Sequence, residues 1–203
     1  EEIQLTEQEI ETNIERFESF CIKEGIFFRT HNEVGGDVFQ TIRTETRFAD
    51  LMIISNDMFY RNIGEQPNEY MQQVLHFSEC AVLILPQEGR FPDSLILSYD
   101  GSPSSVFAIK QFAYLLPELC DKEAILITLE GDEGQIPQHA LIEELAVRHF
   151  PKLSMQVMEK NADKHFSAWV STQNHPLLVA GSFGRTGISR LFRKSFITDV
   201  IKN

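Results

Sequence analysis

HPLLVAGSFGRTGISRLFRKSFITDVIKN, His175 to Asn203, reads as a buried strand, a glycine-bearing loop and a new helix. Pro176 to Ala180 is an apolar run too short for a helix. Gly181, Gly184 and Gly187 punctuate the loop, and Ile197, Val200 and Ile201 recur at helical spacing after Ser195. A strand that ends in glycines and feeds a helix presents unpaired backbone N–H groups, and the helix dipole favours negative charge there. Arg185, Arg190, Arg193 and Lys194 add four cations to the same stretch. Two readings stay open: a solvated loop in a plain α/β connection, and a phosphate site. Phosphate binding is the first hypothesis.

Working outward, strands alternate with helices. Upstream of His175 a helix is expected over Asp163 to Thr172, a strand over Leu153 to Met158, a helix over Gln138 to Phe150 and a strand over Glu123 to Leu129. Before these, Ser94 to Tyr99 is a β-rich apolar run. Asp100-Gly101-Ser102-Pro103 is a turn, and Val106, Ile109, Phe112, Ala113 and Leu116 stripe a helix. Gly89 and Pro92 break the chain in a linker at 88–92. The first half opens with a helix, Leu5 to Gly25, whose Thr6 and Glu9 form a capping-box pattern. Then come a strand over Ile26 to Val34, a Gly35-Gly36-Asp37 turn, and a helix carrying Val38, Ile42 and Phe48. A strand from Leu51 to Ser55, a polar loop over 56–68, a helix around Tyr70 to Ser78 and a strand from Ala81 to Leu85 complete it. Such alternation implies right-handed crossovers and a parallel sheet covered on both faces.

Composition narrows the function. The 203 residues are 42% apolar, enough for real cores, and the formal net charge of −12 repels nucleic acid and anionic membrane. No run approaches the roughly 20 apolar residues of a membrane span and no signal peptide opens the chain, so a cytoplasmic protein is expected. Cys21, Cys80 and Cys120 are odd in number, far apart and set in apolar contexts, which predicts three buried thiols and no disulfide framework. His31, His76, His139, His149, His165 and His175 fall in separate elements without ligand spacing, so no metal site is expected.

An internal repeat is visible. GDVFQTIRTETRFADLMIIS, Gly36 to Ser55, aligns with ADKHFSAWVSTQNHPLLVAGS, Ala162 to Ser182, with one inserted residue: turn, helix, apolar strand, small residue.

The spacing Gly181, two residues, Gly184, nine residues and then a pair ending in a hydroxyl resembles the nucleotide loop of the universal stress proteins, as does the intervening GSFGRTGISRLF. The family has Gly before the Ser or Thr of that pair. Here the pair is Lys194-Ser195. DGSPSSVFAIKQFAYLL resembles the family's first strand-turn-helix, and the GGD turn resembles the one that begins its third helix. The resemblance implies an α/β fold with a Rossmann-like parallel five-stranded sheet, order 3-2-1-4-5, in two tandem copies. One copy is 1–87, incomplete at its N-terminus; the other is 93–203, incomplete at its C-terminus. A copy lacking strands one and two leaves strand three detached from strand four, so residues before Glu1 and after Asn203 are expected.

What the resemblance implies for the site is specific. Asp100, with Gly101 and Ser102, would meet the adenine end of ATP or a related nucleotide, with Mg where phosphates bind. Gly181 and Gly184, with Ser182 and Arg185 beside them, would face ribose and phosphate, and Ser195, next to Lys194, would hold phosphate at the helix start. A turn or helix-capping role for Asp100 remains open beside that. Lys194 cuts both ways: where the family's glycine has positive φ a lysine costs about 1 kcal/mol or more, while its ammonium adds a contact of roughly 1.5 to 3 kcal/mol. The first copy's loop, SNDMFYRN, has no such glycines and is expected to bind no nucleotide.

Catalysis has little support. GISRLFRKS lacks the Walker glycines, GxSxG is absent, and SYDGSPSS does not match the Ser-Gly-Gly-x-Asp-Ser loop of a related ATP-cleaving class. A non-enzymatic stress-response regulator is expected, whose copies pair within the chain or in a homodimer. A scaffold without nucleotide is the alternative, and an ATP pyrophosphatase-like enzyme the third.

Overall fold

The computed structural model describes residues 7–31, 36–55, 69–86, 89–129, 135–158 and 166–181. The chain divides into two compact units, 1–38 and 39–203.

In the first unit a helix, α1 (Glu7–Glu24), ends at Gly25, whose φ of +68° is open to glycine at no steric cost. Ile26 N donates to Cys21 O at 2.8 Å and Gly25 N to Ile22 O at 3.2 Å, the two crossed bonds of a Schellman stop. The chain then returns along the helix: Thr30 Oγ1 donates to Glu18 Oε1 at 2.9 Å, and Phe28 meets Phe17 edge-on at 5.9 Å. The strand expected from Ile26 to Val34 does not form over 26–31, and the remainder lies outside the described residues. A strand exists through its ladder, and no neighbouring strand pairs here among the described residues; Phe27 stands 90% exposed.

The second unit holds two parallel sheets. In the smaller, β1 (Leu51–Ser55) pairs with β2 (Ala81–Leu85) in the register Leu51 with Ala81 through Ser55 with Leu85. Helices α2 (Val38–Arg47) and α3 (Glu69–Phe77) bring Phe39, Ile42, Val74 and Leu75 onto Met52, Ile54 and Ile84. Alternation leaves Ile53 on the other face, 59% exposed. The apolar stripe of α2 is therefore Phe39 and Ile42; Val38 and Phe48, expected on it, are exposed.

A polar network ties α2 to the start of β2. Arg43 Nε donates to Glu79 Oε1 at 2.9 Å and Arg47 Nε to Glu79 Oε2 at 2.7 Å, while Glu79 N donates to Thr46 Oγ1 at 3.0 Å. Hydrogen bonds from Arg47 and then Arg43, aided by their charges, hold the Glu79 carboxyl at about 2, below its ordinary 4.5. A depressed carboxylate stabilises the fold above its unfolded pKa and loses that contribution as pH falls through the folded one. The stability gap between wild type and Glu79→Gln is accordingly expected to be constant above pH 4.5 and to shrink steadily toward pH 2 in urea denaturation series. A gap independent of pH across that window would refute the assignment.

The larger sheet runs β5-β4-β3-β6, built from β3 (Ser94–Ser98), β4 (Glu123–Leu129), β5 (Leu153–Met158) and β6 (Pro176–Val179), all parallel. Counted within this half, the order is third, second, first, fourth. The described residues thus form sheets of four and two strands, and no sheet of five. Central β3 is buried on both faces, with Leu95, Ile96 and Leu97 at 0 to 1% exposure. Leu95, Leu97, Ala124, Leu126 and Val179 face α4 (Pro103–Leu115) and α5 (His139–His149), meeting Ile109, Phe112, Ala113, Ile142, Ala146 and Phe150. On the opposite face Ile96 and Ile127 meet Phe166 and Val170 of α6 (Phe166–Val170). That helix is shorter than the expected 163–172 span, of which 163–165 lie outside the described residues. Cys21 and Cys120 are buried and Cys80 is half-buried, all three as free thiols. Burial, and then the charges of Asp121 and Glu118, raise the Cys120 pKa above its ordinary value.

Candidate functional site at the carboxyl ends of β3 and β6

Strand order creates the site. From β3 the chain goes to β4 on one side, and β6 pairs on the other, so the connections diverge and leave a switch point beyond the carboxyl ends of β3 and β6. Asp93 N donates to His175 O at 3.1 Å and Ser94 Oγ to Asn174 O at 2.9 Å, which fixes how β6 enters, and the ladder runs up to Leu97 paired with Val179. Two residues beyond that pair stand Tyr99 on one strand and Gly181 on the other.

The turn after β3 is a chain of local hydrogen bonds. Asp100 Oδ1 accepts from Ser102 N at 3.0 Å, an Asx turn, and Ser102 caps α4 by accepting from Ser105 N at 3.2 Å. Ser104 Oγ lies 2.9 Å from Ser102 Oγ, and Ser105 Oγ donates to Ser102 O at 2.9 Å. Pro103 at the first helical position loses nothing by lacking an N–H. Asp100 thus serves its turn, and its carboxylate sits exposed at the strand end.

The structure gives both described glycines of the site a packing reason. A Cβ on Gly181 would lie 2.7 Å from Ser104 C and Ser105 N and 2.9 Å from Ser104 O, so the end of β6 rests directly on the first turn of α4. Gly101 has φ +78°, and its Cβ would lie 2.7 Å from Pro137 Cβ. The structure therefore brings Asp100, Gly101, Ser102 and Gly181 to one place. Ser182, Gly184, Arg185, Lys194 and Ser195 lie outside the described residues.

Three neighbours escaped the sequence reading. Tyr99, 1% exposed, donates its hydroxyl to Pro137 O at 2.9 Å, and Gln138 Oε1 is a second acceptor 3.2 Å from that hydroxyl. Burial and then the Asp100 charge raise the tyrosine pKa, so the hydroxyl remains a donor at neutral pH. Gln138 opens α5 in the left-handed region, φ 43° and ψ 44°, with no side-chain cap bond; that conformation costs an L-residue about 1 to 2 kcal/mol. A buried tyrosine directly before the Asp-Gly turn was the available signal, since its hydroxyl needs a partner. Among the described residues no group of three or more His, Cys, Asp or Glu side chains is placed to hold a metal ion, and no helix is long and apolar enough to cross a membrane.

Strand order and helix placement define a doubly wound parallel α/β protein with a topological switch point beyond the carboxyl ends of β3 and β6. Within that class the fold is that of a universal stress protein: one from Archaeoglobus fulgidus DSM 4304, known from its crystal structure, matches 98% of this chain and 77% of its own length with a TM-score of 0.63 at 16% sequence identity. No family profile and no curated protein sequence matches the chain. An identity of 16% carries the fold, and function has to be argued from the residues.

Proposed function

We propose that this chain is a stress-response regulator of universal-stress-protein type, in which the part from 93 to 203 binds ATP or a related adenine nucleotide without rapid turnover. The observation that supports it most is the approach of Gly181 to Ser104 and Ser105, in the turn of α4 that directly follows Asp100 to Ser102, beyond the adjacent carboxyl ends of β3 and β6. Asp100 takes the adenine end; Gly181, Ser182, Gly184 and Arg185 take ribose and phosphate; Lys194 and Ser195 hold the phosphate end, with Mg accompanying it. The parallel β1–β2 pair is read as the fourth and fifth strands of a first copy, 1–87, which pairs with the second within the chain or between two chains. Its loop lacks the glycines, so it is a structural partner. The protein acts in the cytoplasm through nucleotide-sensitive assembly.

One observation favours a second reading, an interaction scaffold without nucleotide: Asp100 and Gly181 each have a sufficient local role, in the Asx turn and against α4. Calorimetric titration with MgATP separates the two. Saturable micromolar binding, abolished in Gly184→Ala, supports the nucleotide reading. Absence of heat in the wild type and in Lys194→Gly overturns it in favour of the scaffold, and binding only in Lys194→Gly marks a pocket closed by that lysine.

A further inference from the structure

The turn after β3 and the start of α5 are joined at two points 36 or more residues apart in sequence. Tyr99 O–H reaches Pro137 O, with the Gln138 amide beside it, and the bare Cα of Gly101 sits against the Pro137 ring. Neither side is self-sufficient. Gln138 spends its amide on Tyr99 rather than on capping its own helix, and it is held in a left-handed conformation. Its carbonyl nevertheless accepts the first two helical bonds, from Leu141 N at 3.0 Å and Ile142 N at 3.2 Å. On the other side Gly101 keeps φ +78° between Asp100 and Ser102, whose Asx bond sets the position of the α4 cap. Gly101 and Pro137 therefore lie together with no room for a side chain between them.

We propose that the Asp100 to Ser102 turn and the first turn of α5 open as one unit, latched by Tyr99, Pro137 and Gln138, so that a ligand held at the turn is reported at α5. The ligand part rests on the nucleotide reading above; the shared opening does not. A ligand donor that bonds the Asp100 carboxylate loads the side chain whose Oδ1 holds Ser102 N, and so bears on Gly101 and, through Pro137, on the carbonyl that anchors α5.

Native-state hydrogen exchange on the full chain tests this at named amides. Tyr99→Phe removes one hydroxyl and is expected to speed exchange about fivefold, the loss of one net hydrogen bond, at Leu141 and Ile142 and also at Ser105 and Val106. Gly101→Ala is expected to accelerate Leu141 and Ile142 at least as much, and Gln138→Gly, which keeps φ 43° accessible, to accelerate Ser105 and Val106. The β4–β5 ladder stays unchanged in all three. Acceleration confined to the mutated segment, or equal throughout the ladder, overturns the latch. MgATP added to the wild type is expected to change exchange at Leu141 and Ile142 several-fold. Heat of binding without that change overturns the reporting role. Absence of binding instead defeats the nucleotide reading, and the variants alone then decide the latch.

Discussion

Gly181→Ala is expected to destabilise the protein at the upper end of the about 1 to 3 kcal/mol that overpacking costs. The added methyl would stand 2.7 Å from Ser104 C and Ser105 N, and both are backbone atoms in the capped first turn of α4. A flexible side chain could swing aside; a helix terminus cannot move without disturbing Ser102, its cap and the Asp100 turn. Gly89 is the internal control, because its nearest neighbours would lie 3.6 to 3.9 Å away in ordinary contact. Urea denaturation should place Gly89→Ala near wild type and Gly181→Ala well below it. Equal stability of the two variants would mean that β6 does not rest on α4 as described.

The second large effect is in the core beneath the site. Phe150 is fully buried where α5 ends, its N–H bonded to Ala146 O at 2.9 Å and its ring stacked on Phe112 at 6.3 Å with 17° between planes. Phe150→Ala removes a ring from the core cluster that holds Leu95, Leu126, Ile142 and Ala146 and leaves a cavity there. The expected loss is about 3 to 5 kcal/mol, a large part of the roughly 5 to 15 kcal/mol that holds a domain together. Equilibrium unfolding monitored by circular dichroism checks it, and a loss below about 1 kcal/mol would contradict this packing.

Much of the architecture was legible because parallel strands buried on both faces appear as short apolar runs between turn residues. The bounds of β1, β2, β4 and β5 coincide with the runs 51–55, 81–85, 123–129 and 153–158. Ile26 to Val34 carries the same pattern, yet 26–31 form no ladder, since a strand depends on a neighbour that periodicity does not supply. At the site, the turn at Asp100 and the glycine at the end of β6 were both legible. The packing of that glycine was not: a Cβ on Gly181 would meet the backbone of Ser104 and Ser105, an approach that spacing along the chain does not reveal. Contacts over long separations stayed hidden for the same reason. Tyr99 with Pro137, and Arg43 and Arg47 with Glu79, meet only once the sheets have brought their segments together.

The proposed adenine-nucleotide site lies across the carboxyl ends of β3 and β6. An amide-resolved NMR titration with MgATP tests it most directly. Saturable shifts are expected to centre on Asp100 to Ser105 and on Gly181, with the β1–β2 strands silent. Saturation without movement of those amides, or no perturbation anywhere at millimolar nucleotide, would contradict it.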